Sequence, residues 1–519
     1  MLGGRALTGI AIVLAWLGGL GMLVRREFFR PHIDRLAEAA LRVQPGAVFY
    51  AVMQGDKQVG FASSTIDTSF TMIEQRDYLV ADILAGGTVH RATARTNVTL
   101  TRTLRLRTFE VAIEADQGPL RVQGEVLGDT VMRVDLRVGA TGTPDTASFR
   151  LNGPVLLPNL VPLAVALDER PRVGKEFTLP VIDPTSATPK ELRVAVRAES
   201  LFVVNDSSVF DSTSGRWVGV LPDTIRAWQL VSEGGSGVGG WVDAQGRLVA
   251  TTQMGFNLRR LPYEVAFENW RRDSEASDSI RPRTARRADN RDVLESTAIG
   301  ANKRLTSSLS RLRVRLSGAS FKGFDLHGGR QRFQGDLLSV FREPAMQLVV
   351  RQEIIEPEFR RRYPELRNEP FLEVNHPEIV ALAARLAGES KNPSVIAQRI
   401  NQWVHDSLRK DITVGIPSAI HVLHTRRGDC NEHTQLFVAL SRAAGIPARM
   451  AAGLAYVDGK FYYHAWPEVL LRGWVAVDPT FGQFPADASH LRFVHGGLGR
   501  QAELLRLMGR LKIEVVEAR

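Results

Sequence analysis

From Ala47 to about Trp270 apolar and polar residues alternate for stretch after stretch, as in "VTLTRTLRLRTFEVAI", "RVQGEV", "TVMRVDLRV" and "GGWVDAQGRLVATTQMG". A period of two sends successive side chains to opposite faces, so such text folds as strands that each bury one face. Gly, Asp and Asn break the stretches, and "DQG" and "DAQG" read as hairpin turns. These features predict an all-β region over 47–270, built as a curved sheet or a sandwich. Nothing in it gathers into a chemical site.

The remaining text is different. Residues 271–290, "RRDSEASDSIRPRTARRADN", are charged and aperiodic and read as a basic linker. A mixed, partly β connecting segment is expected over 291–375. Helical spacing begins at "HPEIVALAARLAG" and continues through Ile396, Ile400, Trp403 and Val404. An α+β domain is therefore expected over 376–492, with a tail at 493–519. A chain of 519 residues exceeds what one hydrophobic core supports, which agrees with a multidomain reading. The excess of 66 Lys+Arg over 56 Asp+Glu is partly local, in "RPRTARRADNR" and "RLRVRL". No nucleic-acid-binding motif surrounds these residues. The charge suits a solvated linker or one facing an anionic membrane or cell-wall polymer, and no nucleic-acid partner is expected.

At the other end, Ala6 to Val24 runs without a charge between Arg5 and Arg25-Arg26. At ~1.5 Å per residue this is about 28 Å of helix, near the thickness of a bilayer's hydrocarbon core. No small-residue cleavage site follows, so residues 1–30 are expected to be an uncleaved single-pass transmembrane anchor rather than a signal peptide. The soluble part is then expected to be extracytoplasmic, for example periplasmic.

The single cysteine, Cys430, excludes an intramolecular disulfide framework and a four-thiolate metal site. It sits in "RRGDCNEHTQLFVALSRAAGIPAR". The apolar residues Leu436, Phe437, Leu440 and Ala444 that follow form a helical stripe ending at Gly445 and Pro447. Asp429 and Glu432 have the spacing of a capping box, which makes Cys430 the first residue of the helix. Unpaired backbone N–H groups and the positive end of the helix dipole there favour an anion, and thiolate is the reactive form of cysteine. A structural cysteine would sit more naturally on the Leu436/Leu440 stripe.

Downstream, "ARMAAGLAYVDGKFYYHAWPEVLLRGWVAVDPTFG" reads as three short strands, turning at Asp458-Gly459 and near Arg472-Gly473. His464 lies in the second strand and Asp478 near the end of the third. A two-residue second turn would pair Leu471 with Trp474 and throw Asp478 to the wrong face. A three-residue loop, Leu471-Arg472-Gly473 with Gly473 left-handed, pairs Leu470 with Trp474. Asp478 then comes opposite Trp466, diagonal to His464 and within side-chain reach. That loop is the prediction.

A thiol at a helix entry, a histidine on a facing strand and a carboxylate on the next are the groups that acyl transfer uses. The oxyanion would fall to the backbone N–H of Cys430, with Gln402 or Trp403 as a second donor, although Trp403 lies on an apolar stripe. Arg426 and Arg427 read either as a carboxylate clamp or as a solvated loop, Asn431 as a first-turn helix residue, and Trp466 as sharing the face of His464. A rival use of Cys430 is a zinc site with His421, His424 and His433, which leaves His464 and Asp478 without a task. A second rival is a non-enzymatic scaffold built on the β region.

With these residues in hand, "RRGDCNEHTQLFVALSRAAGIPARMAAGL", "FYYHAWPEVLL" and "GWVAVDPTFGQ" resemble the bacterial transglutaminase-like superfamily over roughly 376–492. The resemblance implies a papain-like core in which Cys430, His464 and Asp478 are the catalytic triad, and it implies thiol acyl chemistry. It does not imply cross-linking, since many bacterial members look like peptidases or amidases. The expected activity is hydrolysis of amide or peptide bonds in a protein, a peptide or a cell-wall peptide, with an amine as the less favoured acceptor. No cofactor or metal is expected.

Overall fold

The computed structural model describes residues 43–519 apart from 129, 140–144, 169–170, 184–187, 233–238, 254, 281–291, 307, 349–362, 370 and 417. The predicted alternation is realised as a 14-stranded sheet. Its centre is the strand Gly46–Gln54, paired antiparallel with Lys57–Thr68 on one side and Phe256–Leu261 on the other. From the first side the strands follow chain order out to Asp145–Arg150. From the second they run in reverse chain order back to Glu176–Asp183. The "DQG" turn pairs Ala115 with Gly118, as expected of a two-residue hairpin loop.

The sheet is curled. Residues from strands near its two ends, Val122, Met132 and Val134 on one side and Phe177, Val181 and Leu192 on the other, share one core with the short apolar helix Val161–Asp168. Burying that helix along with the concave face explains why Leu160, Val161 and Val165 have almost no exposure. The sheet twists right-handedly as strands are added, and the helix fills the resulting trough.

Three expectations about the rest of the chain need correction. Residues 269–280 form a helix rather than the start of a linker, because Trp270 is pinned in a cluster with Phe61, Val80 and Ala266. The "RPRTARRADNR" stretch lies outside the described residues. The connecting segment and the tail belong to one structure. Arg311–Ser317 is flanked by Leu337–Phe341 and by the C-terminal strand Lys512–Ala518 in a four-stranded sheet. Leu312, Val314, Leu338, Ile513 and Val515 share a core with Leu454, Phe461 and Phe493 of the neighbouring sheet. The tail reads as isolated only because its pairing partner lies so far back in the chain.

The membrane anchor is the third correction. Among the described residues no helix is long and apolar enough to cross a membrane, and the stretch Ala6–Val24 lies outside them. The single-pass anchor and the location derived from it are therefore not supported.

The helices Pro377–Ala387 and Pro393–Ser407 pack with a third, Cys430–Ala443, over the strands Ala448–Val457 and Lys460–Leu470. Ile299–Gly300 and Trp474–Ala476 extend the sheet beside Lys460–Leu470, and Leu491–His495 borders Ala448–Val457. The large sheet touches this domain directly. Asp116 donates its N–H to the carbonyl of Val414 at 3.0 Å, and its carboxylate accepts the N–H of Val414 at 3.1 Å.

Candidate active site

The helix that begins at Cys430 is capped as its sequence predicts. The Asp429 carboxylate accepts the N–H of Asn431 at 2.8 Å, and Glu432 reaches back to the N–H of Asp429 at 2.7 Å. Gly428 makes room for this box: a Cβ there would lie 2.3 Å from the Glu432 side chain. At the far end Ile446 donates to Ser441 and Gly445 to Arg442, a Schellman closure with Gly445 at φ +82°. The helix is not amphipathic in the expected sense, since Glu432 through Arg442 are all buried.

Cys430 is half-buried at the helix entry, and the backbone of Ala465, next to His464, acts on its thiol in the direction of the anion. Burial pushes its thiol well up, and the carboxylates of Asp429, Glu432 and Asp478 push in the same direction. These effects oppose the helix entry, which favours an anion. A helix N-terminus contributes about 0.3–1 kcal/mol to an anion, too little against desolvation and three nearby carboxylates.

The strands bring His464 and Asp478 together. Asp458 and Gly459 both have positive φ and close the first turn, pairing Val457 with Lys460. Leu470 pairs with Trp474 and the N–H of Val477 bonds the carbonyl of Pro467, which is the predicted register. Gly473, expected left-handed, does not have positive φ. The loop closes instead through the N–H of Leu471 to the carbonyl of Gly473 at 3.0 Å. The result is a hydrogen bond from His464 Nε2 to Asp478 Oδ2 of 2.7 Å, buried from solvent. With Nε2 engaged, Nδ1 is the nitrogen left for a thiol proton. The His464 ring stacks on Phe481, with centroids 4.7 Å apart and planes at 4°. Trp466 lies on the same face at 6.0 Å.

Asp478 has no solvent exposure, and its other oxygen accepts the N–H groups of Thr480 and Phe481 at 2.7 and 3.0 Å. Burial alone would raise its carboxyl. The two imidazoles beside it outweigh burial and hold the carboxyl far below the usual range. The second imidazole is His490, whose Nε2 lies 2.9 Å from the same Oδ2. Sequence reading missed His490 and its partner Asp487. Their only signal was the polar "DASH" entering a short apolar strand.

The other singled-out residues have separate partners. Gln402 bonds Asp406 on its own helix at 2.8 Å, and Trp403 packs into the core beneath Arg426, whose guanidinium lies 4.5 Å from the indole centroid. Arg427 pairs with Asp411. His424 pairs with Glu378, while His433 Nδ1 bonds the carbonyl of Asp429 at 2.7 Å. The residues considered for zinc thus do not form a cluster. Among the described residues, the grouping with metal-ligand types is His464, Asp478 and His490, where two imidazoles already share one carboxylate oxygen.

Residues 380–479 match the family model of the transglutaminase-like superfamily. This part of the chain is a transglutaminase-like domain. A search of curated proteins finds no match. Among solved structures the chain is similar to a protein from Cytophaga hutchinsonii named as a candidate cysteine protease. The identity is 16%, with 43% of this chain and 82% of that one covered, at a TM-score of 0.25. It is also similar to the periplasmic domain of TgpA from Pseudomonas aeruginosa bound to ethylmercury (21%, 36% and 84%, TM-score 0.23). A third is a β-barrel-like protein of a domain of unknown function from Brucella abortus (10%, 42% and 96%, TM-score 0.27). The matched span of the transglutaminase-like domain holds Cys430, His464 and Asp478 and stops short of Asp487 and His490.

Proposed function

We propose that this chain is a thiol acyl-transfer enzyme that hydrolyses amide or peptide bonds, with Cys430 as nucleophile, His464 as general base and then acid, and Asp478 as the group that orients His464. The observation that carries this reading is the buried His464–Asp478 hydrogen bond of 2.7 Å, in a domain where the helix that begins at Cys430 packs on the strand that carries His464. In the first step the Cys430 sulfur bonds the carbonyl carbon, its proton passes to His464 Nδ1, and the carbonyl π pair moves to oxygen. The oxyanion meets the N–H of Cys430, a first-turn N–H with no carbonyl partner inside its helix. Collapse expels the amine, which leaves with the proton from His464, and water then resolves the thioester by the same steps.

The thiol is held high by burial, which fits a mechanism where His464 removes the proton during attack rather than one that stores a thiolate. The substrate proposed is a protein, a peptide or a cell-wall peptide.

The test is release of fluorophore from a panel of peptide amides and cell-wall peptides by the full chain and by Cys430→Ala. Cys430-dependent hydrolysis is the expected result. Incorporation of a dansylated amine in preference to hydrolysis would make the chain an amine-accepting transglutaminase. No turnover, together with alkylation of Cys430 only in denaturant, would sink the enzymatic reading in favour of a scaffold.

A further inference from the structure

We propose that His490, held as an imidazolium between Asp478 and Asp487, sets the protonation state of the Cys430–His464 pair. This rests on the reading of Cys430, His464 and Asp478 as a working site.

Asp478 accepts two backbone N–H groups on Oδ1 and two imidazoles on Oδ2. Asp487 Oδ1 accepts the N–H and the hydroxyl of Ser489 at 2.9 and 2.6 Å, and Oδ2 faces the N–H of Ser308 at 3.2 Å. Both carboxyls are surrounded by donors, so both are carboxylates. His490 places Nε2 at 2.9 Å from one and Nδ1 at 3.3 Å from the other. An imidazole that meets an acceptor at each nitrogen donates from each, and only the cation has two N–H groups. The ring is completely buried, with Trp466 edge-on at 5.2 Å and Phe481 at 6.0 Å. Burial alone would lower its pKa, but the two carboxylates outweigh burial and raise it.

Among the described residues, His464 is the other imidazole beside Asp478, and the remaining ionisable groups nearby are matched or pushed towards neutrality. His464 faces the cluster from the strand Lys460–Leu470. On the helix Cys430–Ala443, His433 is pushed towards neutrality by burial, and burial and Asp429 raise the Glu432 carboxyl. Arg330 bonds the carbonyls of Ala486 and Asp487, but its charge is matched by Glu343 at 3.4 Å.

A carboxylate paired with His464 alone would favour the proton on His464 and with it a thiolate–imidazolium pair. With His490 already neutralising Asp478, a proton on His464 gains less. His490 and Asp487 act through Asp478 as positioning residues.

Since Cys430 is the only thiol, every iodoacetamide adduct reports on it. The full chain and its His490→Gln, Asp487→Asn and His464→Ala variants would be alkylated across pH 5 to 9 and read by intact mass, with thermal unfolding measured in parallel. Both His490→Gln and Asp487→Asn are expected to lower the labelling midpoint by about one pH unit, roughly tenfold faster labelling at pH 6. A midpoint that stays with wild type in the folded variants, or moves upward, overturns the inference even if rates fall. If His464→Ala labels like wild type throughout, the catalytic reading itself has failed. Should neither variant fold, ¹⁵N-histidine spectra of the wild-type chain decide. One ring still carrying both protons at pH 7.5 supports the inference, and none overturns it.

Discussion

In the strand Gly118–Leu127 of the large sheet, Leu120, Val122, Gly124 and Val126 are buried and the residues between them are exposed. In the strand Lys460–Leu470, every residue from His464 to Glu468 and on to Val469 is buried. The first strand is covered on one face. The second lies between two layers, with Val469 packed into the helical core and Phe461 and Ala465 into the core of the four-stranded sheet. The contrast extends to polar groups. Buried polar side chains are sparse in the large sheet, while the C-terminal domain buries His464, Glu468, Asp478, Asp487, His490 and Arg492 in linked networks. Burying such groups is costly unless they bond one another, so the second region gives up easy stability for a dry, charged interior. The proposed acyl-transfer site lies in that interior, and a one-faced strand has no place for it.

The largest effect that would sharpen this contrast is on turnover. Cys430→Ala should lower kcat/KM by roughly 10⁴-fold or more, with an unchanged unfolding temperature. Loss of only a few fold would mean that the chemistry lies elsewhere. Next, deleting residues 511–519 removes the strand that carries the buried Ile513 and Val515. The C-terminal domain should lose roughly 3–6 kcal/mol, seen as earlier urea unfolding, while the large sheet keeps its own transition. Equal loss in both regions would break the division.

Acid offers a third comparison. Asp478, Glu468 and Asp487 all have folded pKa values held below their unfolded ones, against the effect of burial, by the imidazoles and, for Glu468, arginines beside them. Stability from such groups is fully present above the unfolded value near 4 and drains as pH falls towards the folded values. Between about pH 4 and 2, hydrogen exchange should therefore speed up in the C-terminal domain before the large sheet. The smallest effect is expected at Leu201, 64% exposed on the outer face of a long hairpin. Leu201→Ser should change stability by less than about 0.5 kcal/mol.

Much of this was legible in the residues themselves. Alternation announced the sheet, the Asp429–Glu432 spacing announced the helix cap, and a register argument on Leu470 and Trp474 brought His464 to Asp478. Those features are local, set by dihedral preference, turn chemistry and the pleat, and a few neighbouring residues suffice to express them. What escaped is non-local. Nothing near Lys512–Ala518 says that its partner is Arg311–Ser317. Nothing near His490 says that it will share an oxygen with His464. The setting of the Cys430 thiol escaped in part for the same reason. The helix entry and its flanking Asp429 and Glu432 are visible in the sequence, but the water that the thiol loses and the carboxylate of Asp478 are supplied by the rest of the fold. The sequence by itself determined which elements form and that His464 and Asp478 could meet. The tertiary structure alone decided how dry the site is, and how its charge is shared, because burial and electrostatics depend on everything packed around a group.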